Sequence, residues 1–178
     1  MLIFKNIKED KKDIYKIKEL YESSFPEDEQ VPFFHLENQA YTSISDIYGV
    51  YDHEFIGLLV NVYYEDILFL WYIAIEPKFQ NKGYGSLILK QIQNSYPNHR
   101  IVLNIELVDN NNPIQIKRKH FYIKNGFKEC GFYTEEYGVF YEMLYYHQPI
   151  TYQEYEKMMR NFSGDEVFDQ IYKQAFIK

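Results

Sequence analysis

The chain has 178 residues, of which 46% are hydrophobic and 25% are charged, as expected of a folded domain rather than a disordered segment. Its formal net charge of −7 argues against non-specific binding to nucleic acid, which requires a positive surface. The single cysteine, Cys130, excludes an intrachain disulfide, and no apolar run is long enough to span a membrane. We therefore expect a cytoplasmic protein without nucleic-acid or membrane partners.

The first half of the chain begins with a short strand and two helical patterns and continues with three β-rich runs. Only short turns separate these three runs, so they must pair as an antiparallel meander. The predicted elements are a strand at 2–7, helices at 10–24 and 31–41, and strands at 44–51, 55–63 and 67–75.

The second half alternates helices and strands before it ends in helical patterns. The predicted elements are helix 83–96, strand 101–108, helix 113–125, strands 127–133 and 139–146, and helices 152–162 and 165–177. A strand–helix–strand succession implies one right-handed crossover and hence a mixed sheet. We expect an α/β (α+β) fold, with a mixed, mostly antiparallel sheet flanked by helices.

A C-terminal helical extension, residues 147–178, follows the predicted main domain at 1–146. Apolar residues recur at three- and four-residue steps in both of its helical patterns, for example at Tyr155, Met158 and Met159. Such a stripe must be buried. We expect it to pack on the same domain or on a second subunit in a homodimer.

The most informative stretch runs from Ile73 to Ser86. A strand ends at Pro77, and a loop with Gly83 and Gly85 then opens a helix. The first turn of a helix offers free N–H groups and the positive end of the dipole, and glycines let the backbone approach a ligand closely. This pattern predicts an anion site suited to a pyrophosphate. The alternative is a tight strand-to-helix turn that binds nothing.

Two nucleotide-binding motifs are excluded for this loop. Ile88 stands where a dinucleotide fingerprint has its third glycine, and no Lys-Ser/Thr follows a glycine at P-loop spacing. The segment Gln80-Asn-Lys-Gly-Tyr-Gly85 instead resembles the acetyl-CoA motif of the GNAT superfamily, Gln/Arg-x-x-Gly-x-Gly/Ala. Tyr122-Ile-Lys-Asn-Gly-Phe127 resembles a second signature of that superfamily, Tyr-x-x-x-Gly-Phe. The resemblance covers roughly residues 1 to 146.

The resemblance implies an N-acetyltransferase that moves an acetyl group from acetyl-CoA to a primary amine by direct attack in a ternary complex, without a metal. It also implies that main-chain groups of the strand contact the pantetheine arm and that loop amides bind the pyrophosphate. The implied cofactor-binding residues are Ile73, Ala74, Ile75, Gln80, Asn81, Lys82, Gly83, Tyr84, Gly85, Ser86 and, where the family often has an asparagine, Gln115.

Two catalytic residues follow from the same resemblance. Tyr122 is the predicted acid that protonates the leaving thiolate, since a phenol with a pKa near 10 stays protonated until the thiolate appears; the alternative is a core aromatic residue. Glu106 is the predicted base that accepts a proton from the amine. Strand parity places it on one face with Asn104, where partial burial would raise the pKa of its carboxyl. The alternative is a solvated residue or a structural hydrogen-bond acceptor.

Three functions remain open from the sequence. The first is the acetyltransferase, whose acceptor is a small-molecule or peptide amine. The second is a non-catalytic sensor or scaffold of the same fold that binds acyl-CoA without turnover. The third is a transferase of a longer acyl group or of an aminoacyl group.

Overall fold

The computed structural model describes residues 2–176, and Ile177, the last residue of the final predicted helix, lies outside this range. The strands are β1 (Ile3–Asn6), β2 (Ser45–Asp52), β3 (Glu54–Tyr64), β4 (Ile67–Ile75), β5 (Arg100–Glu106), β6 (Lys128–Glu136), β7 (Val139–Tyr146) and β8 (Tyr172–Ala175). The α-helices are α1 (Ile14–Ser24), α2 (Phe33–Ala40), α3 (Tyr84–Ser95), α4 (Pro113–Lys124), α5 (Tyr152–Ser163) and α6 (Asp165–Ile171). Two short 3₁₀ turns, Glu27–Glu29 and Pro77–Phe79, lie between them.

The eight strands follow the order β1-β2-β3-β4-β5-β7-β6-β8. Strand β5 runs parallel to β4, whereas the pairs β1-β2, β2-β3, β5-β7, β6-β7 and β6-β8 are antiparallel. The register of β4 with β5 covers only Ile67–Phe69, although β4 continues to Ile75. This arrangement confirms the predicted mixed, mostly antiparallel sheet with its single parallel crossover.

The chain divides into two compact units. The first contains the residues up to Tyr63 together with Leu70–Pro97, and the second contains Tyr64–Phe69 together with the residues from Asn98 onward. Strand β4 thus contributes its first three residues to the second unit and the remainder to the first.

An aromatic cluster forms part of the core of the first unit. Tyr21 of α1 is almost fully buried and contacts the ring of Tyr72 edge-to-face, with 4.9 Å between the centroids. Its hydroxyl donates a hydrogen bond of 2.9 Å to the carbonyl of Val31. The rings of Phe25 and Phe33 lie within 6 Å of the same tyrosine. This packing holds α1 and α2 against β4 within the unit.

Strands β3 and β4 approach each other most closely at Gly57. A Cβ at this position would clash with the carbonyl oxygen of Ala74. The N–H of Glu76 donates to the carbonyl of Ile56 at 2.9 Å, which extends the contact to the end of β4. Glycine at position 57 therefore sets how closely the backbone at 74–76 can lie to β3.

In the second unit, the C-terminal residues complete one side of the sheet. The predicted helix at 165–177 ends early, at Ile171, because Tyr172–Ala175 pairs with β6 as strand β8. The register joins Glu136 to Tyr172 and Tyr133 to Ala175. Backbone pairing with an existing strand has overridden the helical pattern, so the extension is only partly helical.

Helix α5 is fixed at both its end and its buried face. Thr151 and Glu154 form a reciprocal capping box at its start, and Arg100 bridges Glu154 and Asp66 at 2.7 Å and 2.6 Å. Tyr155 is fully buried and donates a 2.7 Å hydrogen bond to Glu136 of β6. The apolar stripe predicted from the sequence, including Met158 and Met159, is buried within this chain.

Candidate active site

The loop before α3 has the backbone geometry of an anion-binding turn. Gly83 has φ 88° and ψ −6°, in the left-handed region, and no atom lies within 4 Å of the place a Cβ would occupy. Asn81 also has a positive φ, of 59°. Among residues 2–176 no side chain caps α3, and the N–H of Leu87 donates to the carbonyl of Gly83 at the start of the helix. The amides of its first turn are thus available to a ligand.

Gln80 closes this loop instead of extending from it. Its side-chain amide donates a 3.0 Å hydrogen bond to the carbonyl of Ile75, across the 3₁₀ turn at Pro77–Phe79. One of the three strand residues expected to contact the cofactor through the main chain therefore already has a partner at its carbonyl. Gln80 links the end of β4 to the loop, which fixes the direction in which the loop leaves the strand.

The charges around the loop are only partly balanced within the protein. Lys78 pairs with Glu54 and lies over the ring of Phe79, 4.8 Å from its centroid. Lys82 lies 5.5 Å from the same centroid and makes no ion pair with a carboxylate in the part of the chain that the structure describes. The Tyr84 hydroxyl donates to Asp52 at 2.9 Å, and this bond raises the pKa of the tyrosine. Of the two lysines, only Lys78 is therefore balanced by a carboxylate among the described residues.

The predicted acid and base belong to the second unit. Tyr122 lies on α4, partly buried, with its ring edge-on to Phe121 and Phe127. Burial raises the pKa of its hydroxyl above 10, and the nearby charge of Arg118 opposes that rise. Within residues 2–176 the hydroxyl makes no hydrogen bond, so its proton is free to be donated.

Glu106 has a partner that the sequence did not reveal. Its Oε2 accepts a 2.7 Å hydrogen bond from the guanidinium of Arg118, and its side chain is 23% exposed. Asn104, on the same face of β5, donates instead to the buried carboxylate of Glu136 at 3.2 Å. The two polar residues of this strand face are therefore tied to different elements, Glu106 to α4 and Asn104 to β6.

Gln115 and the asparagines before it shape the start of α4. The Gln115 Oε1 accepts from the backbone N–H of Asp109 at 2.8 Å, and Asn112 caps the helix by accepting from the amides of Ile114 and Gln115. Asn112 is therefore the N-cap of α4. The oxygen of Gln115, a predicted cofactor ligand, is engaged within the chain.

Two neighbouring basic residues of α4 make ion pairs within the second unit. Arg118 pairs with Glu106, and Lys119 pairs with both Glu129 and Glu142, at 2.5 Å and 2.8 Å. Sequence reasoning missed Glu142 and Glu136, because two buried carboxylates in a hairpin carry no local signal of their burial. Within residues 2–176 no group of three or more His, Cys, Asp or Glu side chains is arranged to hold a metal ion. No described helix has the length and apolar character needed to cross a membrane.

Comparison with models of known families gives a match to about half of the chain. A family model described as an acetyltransferase (GNAT) domain matches residues 43–129, which contain the loop at 80–86 and both of the signatures noted above. Residues 43–129 also contain Tyr122 and Glu106. A search of curated proteins finds no match.

Solved structures with the same fold cover most of the chain. A Bacteroides thetaiotaomicron protein assigned to the GNAT family of acetyltransferases superposes with a TM-score of 0.77 and 20% identity, over 93% of this chain and 99% of that one. Spermidine N-acetyltransferase SpeG from Vibrio cholerae, in a mutant form, gives a TM-score of 0.62 and 19% identity, over 82% and 94%. A Desulfovibrio desulfuricans GNAT-family protein gives 0.59 and 13%, over 82% and 98%. At these identities the likeness confirms the predicted fold.

Proposed function

We propose that this chain, of which residues 43–129 match the model of a GNAT acetyltransferase domain, transfers an acetyl group from acetyl-CoA to a primary amine of a small molecule or peptide. The observation that carries the proposal is the open, uncapped start of α3 behind Gly83. Amides of 81–86 would bind the pyrophosphate, with Lys82 beside them. The main-chain groups of 73–75 would contact the pantetheine arm, and Gln115 remains a proposed contact through its side-chain N–H group.

The proposed chemistry is direct attack of the amine on the thioester in a ternary complex. Tyr122 donates its proton to the sulfur as the thiolate leaves, which requires a phenol that is protonated and unengaged. Glu106 accepts the proton that the amine loses. Since Arg118 binds Oε2 of Glu106, either Oε1 serves as the base or the ion pair opens during turnover.

The class of acceptor amine is proposed from the net charge of the chain and from the name of a structural neighbour. The net charge of −7 suits a cationic amine, and one structural neighbour is named for spermidine. We therefore place spermidine and short diamines first among the acceptors to be tested, followed by single amines and peptide N-termini.

The test is incubation of the full chain with acetyl-CoA and each amine, with release of free thiol as the readout. Amine-dependent thiol release supports the proposal, and comparison with propionyl-CoA and butyryl-CoA tests a transferase of longer acyl groups. The pairing of Glu106 with Arg118 favours one alternative, a domain that binds acyl-CoA without turnover. Calorimetric binding of CoA together with no thiol release from any amine would select that alternative.

A further inference from the structure

A cavity of about 320 Å³ lies in the second unit, bordered by α4, the segment after β5 and the hairpin β6–β7. Leu107, Val108 and Ile116 supply its apolar walls. Helix α4 has no fully buried residue among its twelve, although it packs along the sheet. The cavity explains part of this lack of buried residues, because the side of α4 that carries Ile116 faces the cavity and not a packed core.

The two charged side chains that line the cavity, Glu142 and Lys119, form an ion pair whose lysine is shared with a carboxylate outside the cavity. Glu142 lines the cavity from β7 with its side chain only 5% exposed, and Lys119 lines it from α4. Lys119 also binds Glu129, so one ammonium is shared by two carboxylates. Burial alone would lower the pKa of Lys119, but its contacts with Glu129 and Glu142 outweigh burial and raise it. Glu129 and Glu142 therefore share the ammonium of Lys119 as their charged partner.

The contact of Glu142 with Lys119 leaves the buried carboxylate incompletely satisfied. The Oε2 atom is shielded from water and lies 2.8 Å from the lysine Nζ, yet the direction of approach does not make a good hydrogen bond. A buried carboxylate in this condition is costly, because it has lost water without full compensation. The other polar side chains of the cavity, Asn110, His120 and Tyr133, make no hydrogen bond within residues 2–176.

This cavity uses a different side of α4 from the proposed acid. Successive residues of an α-helix are rotated by about 100°, so Ile116, Lys119 and His120 form one stripe. Gln115, Arg118 and Tyr122 form another, about 120° away. A molecule in the cavity would therefore contact the stripe of Ile116, Lys119 and His120, and not the stripe that carries Tyr122.

We propose that this cavity is a second binding site, for a small organic ammonium ion whose alkyl part lies against the apolar walls and whose N–H groups donate to Glu142. An ammonium ion would supply the directional hydrogen bond that Lys119 does not, at a carboxylate that shares this lysine with Glu129. An anion is disfavoured, since the one lysine is already shared by two carboxylates. The site does not depend on the proposed acyl transfer, because binding alone defines it.

The proposal is tested by measuring the binding of n-butylamine to the full chain by NMR or calorimetry at neutral pH. The uncharged probe of similar shape is n-butanol. We expect the amine to bind and the alcohol to bind at least about tenfold more weakly. Glu142→Gln should weaken amine binding by about tenfold or more. Glu129→Gln also removes a carboxylate from Lys119 but does not line the cavity, so it should weaken amine binding less than Glu142→Gln does.

A second variant protects the test against misfolding of the first. Ile116→Trp fills the cavity without altering any charge, so it should abolish amine binding while its melting temperature stays close to that of the wild type. The proposal is overturned if the wild type does not bind butylamine, if the alcohol binds equally well, or if the folded Ile116→Trp variant binds as the wild type does. Equal losses in the two glutamate variants would also overturn it, since they would indicate a diffuse effect of charge.

Discussion

Gly83 is the residue at which anion binding by the loop is most directly tested. Its positive φ suits asparagine and aspartate better than other side chains, so Gly83→Asn and Gly83→Asp introduce nearly equal strain and differ in charge. We expect Gly83→Asp to weaken CoA binding by about tenfold or more relative to Gly83→Asn, because a carboxylate would face the pyrophosphate. Calorimetry measures both affinities, and equal affinities in two folded variants would remove the loop from the cofactor site.

Tyr122→Phe separates chemistry from structure. The hydroxyl makes no hydrogen bond within the described residues, so its removal should leave the melting temperature and CoA affinity nearly unchanged. If Tyr122 is the acid, kcat should fall by about 10²-fold.

The pH dependence follows from the direction of the Tyr122 pKa. An acid acts only while protonated, and burial raises its pKa above 10. Loss of kcat through deprotonation of Tyr122 should therefore appear only above about pH 10. The measurement is the pH profile of the wild-type kcat up to pH 10, which should show no loss through deprotonation of Tyr122. An unchanged kcat in Tyr122→Phe, with chemistry rate-limiting, would exclude the tyrosine from the mechanism.

At this scale the sequence predicts residue types better than it predicts their partners. The glycines and the tyrosine could be identified because each belongs to a short motif with a fixed backbone shape. The bond from Gln80 to the Ile75 carbonyl and the pair between Glu106 and Arg118 could not, because they depend on where a side chain points after folding. For Glu106 the pair bears on the proposed chemistry, because the predicted base is bound to the guanidinium of Arg118.

Among the elements, the close approach of β3 to β4 is the feature most sensitive to substitution. Gly57→Ala would push a Cβ into the backbone oxygen of Ala74, so we expect a loss of stability of about 1–3 kcal/mol. Gly49→Ala is the matched control in the same unit. Its Cβ would meet only the ring of Tyr51, at 2.9 Å, and a side chain can move aside more easily than a backbone can.

Urea denaturation of both variants measures this difference. The Gly57 variant should also bind CoA more weakly, because the strand that would move carries residues 73–75. Equal midpoints for the two variants would show that β4 is free to shift and that Gly57 does not fix it.

The elements themselves were largely predictable, and their one clear failure is instructive. Strands β4 and β7 begin and end where the hydrophobic runs do. The last predicted helix, at 165–177, is wrong at Tyr172–Ala175, because its stripe of apolar residues is compatible with a helix until β6 offers a backbone to pair with. Local periodicity contains no information about a strand some forty residues away.

For the whole molecule, the C-terminal segment is a structural part of the second unit. Deleting residues 151–178 would expose the apolar surface that Tyr155, Met158 and Met159 cover and would leave Glu136 without its hydrogen bond from Tyr155. We expect an insoluble protein, or a melting temperature lower by about 10 °C or more. Deleting only 176–178 is the control, since it removes no residue of α5, α6 or β8. A 151–178 deletion as soluble, stable and active as the control would make the segment dispensable.

The pairing of β8 with β6 also has a consequence for synthesis of the protein. Every residue of the first unit has been translated once the ribosome passes Pro97, so that unit can fold while the rest of the chain is still being made. The second unit completes its sheet later, because Thr134 of β6 pairs with Gln174 of β8, which is translated forty residues after it. The second unit should therefore be the later of the two to form during synthesis.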